Sequence, residues 1–313
     1  MIDHAASSSA GELLVSIGIP TYNRADLLDR RLENVLGQTY QNLEVIVSDN
    51  ASPNPEVARV VQKWCSRDTR VKSFRQTTNI GATGNFLFVM DQAVGEYFAW
   101  AADDDEWDKD YIEITVSGIG AAQLYMPSAA VWYIKSGEQS PLNLPNLNTT
   151  DGHYHNAKRF FENAQPSIIY GLHKLSEIKK SMPRTAFDLS DVLVVYKAVL
   201  GGGVITGGPS EYRAGFPEET YVVKPFGRLG STHKLSYRAA LAGCLFATFK
   251  SENLYFYQRV ILAAAVVRLI FRTADHLART YPDVARSHHL LLSRVMMQLD
   301  RTKVQLRRLY FWR

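Results

Sequence analysis

The chain is 313 residues long with a formal net charge of +4, enough for one large α/β domain with an appended element or for two modest domains. Its 46% hydrophobic content argues against disorder beyond the ends. Its two cysteines, Cys65 and Cys244, stand too far apart for a zinc motif or a disulfide framework.

Residues 1–12 read as a loose tail without the basic start and apolar core of a signal peptide. The most apolar stretch, Val260–Ile270, contains Arg268 and is too short to span a bilayer. Charge is uneven along the chain. Lys250 to Arg313 carries twelve Lys/Arg against four Asp/Glu, so everything before it sums to −4.

Leu13–Ile19 is a β-branched apolar run that predicts a strand stopped by Pro20, followed by the polar turn Thr21–Arg24. Leu27, Leu28, Leu32, Val35 and Leu36 then recur at helical spacing up to Gly37. Leu43–Val47 predicts a second strand, ending in Ser48-Asp49-Asn50-Ala51-Ser52. A helix over Pro55–Trp64, an extended piece at Val71–Arg75 and a helix over Thr83–Ala93 follow. Next comes Tyr97–Trp107, an aromatic run that ends in Asp103, Asp104, Asp105 and Glu106. Alternating strands and helices, with polar residues at each strand's C-terminal end, describe a parallel sheet with a site along one edge. Three adjacent carboxylates repel one another, so the run reads either as a divalent-metal site shared with a phosphorylated ligand or as an acidic turn capping the next helix.

Ile19-Pro20-Thr21-Tyr22-Asn23-Arg24, Val47-Ser48-Asp49-Asn50-Ala51-Ser52, Asn79-Ile80-Gly81 and Asp103-Asp104-Asp105, in this order over about ninety residues, resemble the nucleotide-sugar-binding half of family 2 glycosyltransferases. The resemblance implies the GT-A fold: a Rossmann-like, mostly parallel central sheet flanked by helices, here with a C-terminal helical extension. It also implies Mn²⁺ or Mg²⁺ as cofactor and inversion at the transferred sugar. It places Pro20, Tyr22, Arg24, Asp49, Asn79, Asp103 and Asp104 against the nucleotide sugar, with Asp49 accepting from an N–H of the base. It gives the metal to Asp104 or Asp105, with Asp105 the choice. Ser48-Asp49-Asn50 stands where the family more often has Asp-Asp-Gly, a variant similar to rhamnosyl- and abequosyltransferases. Each residue also has a plainer role: Asp49 as the acceptor of an Asx turn, Tyr22 as a half-buried aromatic, Arg24 in a solvated salt bridge and Gly81 as a backbone requirement.

Further on, a helix is predicted over Tyr111–Ala122 and a strand over Leu124–Lys135. Ser136–His155 reads as a long loop of the kind that forms lids, carrying His153 and His155. Ser167–Leu172 is strand-like. In Phe187-Asp188-Leu189-Ser190-Asp191, the spacing from Asp191 to Gly202 resembles the family's acidic helix head, which implies Asp191 as catalytic base with Asp188 as its alternative. An acid at a helix start is also favoured by the dipole alone. Gly207–His233 reads as a Gly/Pro-rich segment, and the resemblance makes His233 a candidate metal or diphosphate ligand.

Phe246–Phe271 predicts one helix, buried in protein or shallow in a membrane interface. Within it ENLYFYQ resembles a protease-tag site but carries Tyr257, and is taken as native. A last helix aligns Leu292, Met296, Leu299, Leu306 and Tyr310 in a seam that docks on the domain, dimerises or meets anionic lipid.

The expected organisation is a tail over 1–12, a catalytic domain over 13–240 with donor half 13–106 and acceptor half 107–240, and a basic helical region over 241–313. The expected activity is metal-dependent transfer of a sugar from a nucleotide diphosphate, UDP or dTDP, to a hydroxyl of a glycan or lipid-linked acceptor. The setting is the cytoplasm at the inner face of the membrane, without nucleic acid and with peripheral membrane contact or homo-oligomerisation through the C-terminal helices. The rivals are a sugar nucleotidyltransferase, which needs a glycine-rich phosphate loop after the first strand, and a non-catalytic membrane-surface module.

Overall fold

The computed structural model describes residues 13–184, 190–216 and 233–280. Asp188 and the seam from Leu292 to Tyr310 lie outside them, as does the side chain of His233, whose backbone opens the helix His233–Lys250.

The first half is a parallel sheet built by strand–helix alternation. Strands β1 (Val15–Thr21), β2 (Leu43–Asp49), β3 (Val71–Arg75) and β4 (Tyr97–Trp100) lie in the order β3-β2-β1-β4, connected by α1 (Ala25–Leu36), α2 (Pro55–Arg67) and α3 (Gly81–Gln92). Every residue of β1 and β2 is buried, as expected of strands covered on both faces. On α1, Leu28, Leu32, Val35 and Leu36 supply the buried stripe. The start of α2 is fixed by the Asn54 side chain, which accepts from the Glu56 N–H, and by Pro55 in the first turn.

Contrary to the sequence expectation, Pro20 does not stop β1, which continues to Thr21 in register with Asp49. Backbone groups alternate between the two neighbours, and the Gly18 carbonyl points to the β4 side, where it accepts from Ala101 N. Pro20, two residues on, faces the same side, and the last β1–β4 pair is Gly18–Trp100. Its missing N–H therefore costs no ladder bond.

The second half continues the sheet as β4-β8-β6-β9-β5, with β7 (Gln139–Pro141) paired to β6. Here β5 is Glu106–Trp107, β6 Leu124–Tyr133, β8 Leu172–Lys174 and β9 Val204–Phe216. Strand β8 enters antiparallel to both β4 and β6, whereas β6 and β9 are parallel. The helices of this half are α4 (Tyr111–Ile119), α5 (His153–Glu162), α6 (Leu175–Ser181) and α7 (Ser190–Gly201). After them come α8 (His233–Lys250) and α9 (Phe256–Thr280).

Several expectations are corrected here. The long loop contains β7, and its two histidines stand on the first turn of α5, where His153 Nδ1 lies 3.1 Å from the Val199 carbonyl. Pro166–Tyr170 is a short 3-10 helix rather than a strand. The described part of the Gly/Pro segment, residues 207–216, is strand: β9 runs to Phe216 because residues 207–210 bulge out opposite Pro127 and the ladder resumes at Ser128–Glu211. Tyr125 and Ser128 hydroxyls hold the bulge by donating to the Gly207 and Gly208 carbonyls. The single C-terminal helix is instead two, α8 and α9, broken between Lys250 and Phe256. Cys65 and Cys244 are both free.

Candidate active site

The parallel pairing of β1 with β4 carries Thr21 and the turn 101–105 to the same sheet edge. There Thr21 Oγ1 donates to Asp103 Oδ2 at 2.7 Å. Arg24, just before α1, places one guanidinium nitrogen between two acids, 2.9 Å from Asp103 Oδ1 and 2.8 Å from Asp104 Oδ2. Burial works against the Arg24 charge, but the two carboxylates outweigh it and hold the group above its usual range. Burial raises the Asp103 carboxyl, against Arg24, with Asp104 adding to the rise.

Beside this cluster lies a cavity of about 440 Å³, open at the strand ends. Pro20, Tyr22, Arg24, Asn79, Asp103 and Asp104, all expected from sequence, line it. Tyr22 is exposed at its wall. The sequence reading missed Asn50, Asn85, Phe86 and Tyr170 as lining residues. Asn50 belonged to a motif already singled out, but Tyr170 comes from the other half of the chain and carried no local signal. Asn85 fixes the strand ends by donating to the Ser48 carbonyl at 2.9 Å.

Two expected residues stand differently. Asp49 is buried behind the cavity, where its Oδ1 accepts from Ser52 N at 2.9 Å and its Oδ2 from Arg75. The first of these bonds is the Asx-type turn, and Asn50, next in sequence, is the residue that reaches the cavity. Asp105 is not among the residues lining this cavity: Tyr212 Oη donates to its Oδ2 at 2.8 Å and Gly215 N to its Oδ1 at 3.1 Å. With both oxygens held by β9, Asp105 fastens the acidic turn to the sheet and leaves Asp103 and Asp104 facing the cavity.

The underside of that turn is a polar core that the sequence did not reveal. Arg31, fully buried on α1, lies 4.1 Å from the Trp107 ring centroid and donates to Asn34 Oδ1. Its Nε and Nη2 have no hydrogen-bond partner among the described residues. Asn34 in turn clamps Trp107 by exchanging hydrogen bonds with its backbone N–H and C=O. Burial, with Asp104 adding and Arg31 opposing, pushes the Asp105 carboxyl up to about 7. Such a group favours the folded state fully below its unfolded value and loses that contribution as pH rises toward 7. The stability difference between Asp105→Asn and the parent is therefore expected to move in favour of the variant from pH 4.5 to pH 8. Melting in metal-free buffer reads this as a shift on the order of 10 °C, from about 1.4 kcal/mol per pH unit between pH 4.5 and 7 at about 2–4 °C per kcal/mol. An unchanged difference would refute it.

Gly215 is also fixed by this contact, because a Cβ there would stand 1.7 Å from the Asp104 carbonyl oxygen. Gly215→Ala must displace backbone, so it is expected to destabilise by more than the ~1–3 kcal/mol of ordinary overpacking and to weaken ligand binding. Gly152→Ala, which meets nothing within 4 Å, serves as the control in thermal melts.

Asp191 lies in the first turn of α7, and its Oδ1 accepts from Val192 N at 2.7 Å. It is not among the residues lining the cavity. Tyr170, which is, belongs to the 3-10 helix packed against α7. Among the described residues no group of three or more His, Cys, Asp and Glu could enclose a metal by itself. The Asp103–Asp104 pair nevertheless already converges on a cation, the Arg24 guanidinium. One or two carboxylates completed by phosphate oxygens and water is a donor set that suits Mg²⁺ or Mn²⁺.

A sheet in the order β3-β2-β1-β4-β8-β6-β9-β5, with acids at the end of β4 and helices on its faces, is a GT-A fold. The chain belongs to glycosyl transferase family 2, whose model matches residues 16–185. It is 38% identical over 93 residues to the GalNAc(5)-diNAcBac-PP-undecaprenol β-1,3-glucosyltransferase of Campylobacter jejuni, covering 29% of this chain and 30% of that protein. It is 31% identical over 136 residues to the putative colanic acid biosynthesis glycosyl transferase WcaA of Escherichia coli, covering 42% of this chain and 48% of that one. The chain thus spans less than half the length of these curated relatives. Among solved structures, S. aureus TarS 1-349 in complex with UDP-GlcNAc superposes with a TM-score of 0.67 at 16% identity, over 83% of this chain and 73% of that one. A Pyrobaculum calidifontis mannosyltransferase in complex with GDP-Man and Mn²⁺ gives a TM-score of 0.52 at 15% identity, over 95% and 87%.

Proposed function

We propose that the protein is an inverting, metal-dependent glycosyltransferase that moves a hexosyl or deoxyhexosyl unit from a nucleotide diphosphate to a hydroxyl of a glycan or lipid-linked acceptor. The observation that carries this reading is the convergence of Asp103, Asp104 and Arg24 on one wall of a 440 Å³ cavity at the ends of β1 and β4. Tyr22 offers an aromatic face for the base, with Asn50 and Asn79 at the same wall. Arg24 neutralises the acids in the free enzyme and lies within reach of a bound diphosphate. A uracil or thymine nucleotide is favoured by the UDP-GlcNAc seen in the structurally similar TarS. A deoxysugar is favoured by Ser48-Asp49-Asn50.

Asp104, with Asp103 beside it, would hold Mn²⁺ or Mg²⁺ in preference to Asp105, which does not line the cavity and whose two oxygens each accept a hydrogen bond from β9. Bound there, a divalent cation supplies Lewis-acid neutralisation of the departing diphosphate. Asp191 takes the acceptor proton as the hydroxyl attacks the anomeric carbon. Asp188 and His233 keep the roles the resemblance gives them, as the alternative base and as a further ligand. Residues 13–106 serve the donor and 107–240 the acceptor, although α8 runs across residue 240 into the basic helical region. A lipid-linked acceptor is supported by the undecaprenol-linked substrate in the name of the Campylobacter relative, and it sets the work at the inner face of the membrane.

The test is a thermal-shift screen of UDP-, dTDP-, GDP- and CDP-sugars with and without Mn²⁺, in which a ligand that binds the folded state raises the melting temperature. A shift for one nucleotide class that grows with Mn²⁺ is the expected result. No shift with any of the four would sink the reading.

A further inference from the structure

Among the described residues, six of the twelve exposed large apolar side chains fall at one place, the turn between α8 and α9. Phe246 and Phe249 on the last turns of α8, Tyr255 before α9, and Phe256, Tyr257 and Ile261 on its first turns are all exposed, Tyr255 and Phe256 by 73% and 72%. Soluble surfaces carry such side chains singly, and a contiguous patch marks an interaction site.

The turn that displays them is held in place. Leu254 is buried, Asn253 Nδ2 donates to the Leu200 carbonyl at 2.8 Å, and the Arg259 guanidinium donates to the Leu254 and Ser251 carbonyls. The Gln258 side chain accepts from Tyr255 N, and the Tyr255 and Tyr257 rings stack at 6.1 Å. The aromatics are therefore presented by a rigid scaffold, so little ordering entropy is lost when they engage a surface.

The chemistry of the patch selects its partner. Five of the six side chains are aromatic, Lys250 lies 5.7 Å from the Phe246 ring centroid, and Glu252 is the sole acid between Phe246 and Ile261. From Lys250 to Thr280 the described chain holds five Lys/Arg against Glu252 and Asp275. Aromatic rings with basic residues suit the headgroup level of an anionic bilayer. No helix among the described residues is long and apolar enough to cross a membrane, so the contact is superficial.

We infer that the α8–α9 turn is a monotopic docking surface for anionic lipid, with Phe256 and Tyr257 as its inserted aromatics. The turn is tied to the C-terminal end of α7, while Asp191 opens the same helix nine residues before Leu200, about 14 Å away at 1.5 Å per residue. The patch thus fixes the height at which the head of α7 stands above the lipid surface. The inference does not depend on the proposed reaction.

Co-sedimentation of the full chain with phosphatidylcholine vesicles, with and without phosphatidylglycerol, tests it. Binding is expected to require phosphatidylglycerol, to weaken with salt, and to fall at least tenfold in the double variant Phe256→Ser, Tyr257→Ser. Both side chains are exposed, and an unchanged melting temperature checks the fold of the variant. The inference is overturned if the parent stays in the supernatant, if it binds neutral vesicles equally well, or if the variant binds as the parent does. It is likewise overturned if light scattering shows a parent dimer that the variant splits, which would give the patch to a second copy of the chain.

Discussion

Asp104→Ala is expected to lower metal-dependent turnover of the nucleotide sugar by ~10³-fold or more, the scale at which loss of charge stabilisation at a departing group is felt. The carboxylate lines the 440 Å³ cavity, and its Oδ2 already lies 2.8 Å from a cation, Arg24 Nη1. Asp105→Asn separates the two acids. It keeps a side chain that can accept from Tyr212, so it is expected to retain metal-dependent turnover within about tenfold, its main effect being on the pH dependence of stability. Initial rates against Mn²⁺ concentration decide between them. If Asp104→Ala keeps full activity while Asp105→Asn loses it, the metal belongs to Asp105 as the sequence resemblance implied.

The second large effect is expected at Asp191. Its replacement by Asn should leave donor binding unchanged by calorimetry and reduce transfer by ~10²–10⁴-fold, the usual worth of a positioned general base. The split between binding and turnover is what identifies a base. Loss of both together would mean that α7 had been disturbed, and normal turnover would pass the role to Asp188.

The first ninety residues of the site were legible because each element there is local. β1, β2 and β4 announce themselves by continuous apolar runs, and the polar residues that follow each run are brought to one edge by parallel pairing alone. Thus the places of Pro20, Tyr22, Arg24, Asn79, Asp103 and Asp104 along the chain suffice to group them, and all six line one cavity. Beyond β4 the reading weakened. The bulge opposite Pro127 let β9 pass through a Gly-Gly-Pro stretch that reads as loop, and the break after Lys250 falls at the polar stretch Lys250-Ser251-Glu252-Asn253, which the sequence reading carries through as part of one helix. In both places the decisive partner is far away in sequence.

By itself, then, the amino-acid order determined the family, the parallel half of the sheet and the set of acids at its edge. All three follow from hydrophobic runs and turn residues within a few positions of one another. Only tertiary structure decided how the three acids divide. Tyr212 and Gly215 come from a strand more than a hundred residues after Asp105 and take its oxygens, while Arg24 takes one from each of the other two. Adjacent carboxylates are chemically identical in a sequence, and only the donors that folding brings to each of them make their roles differ.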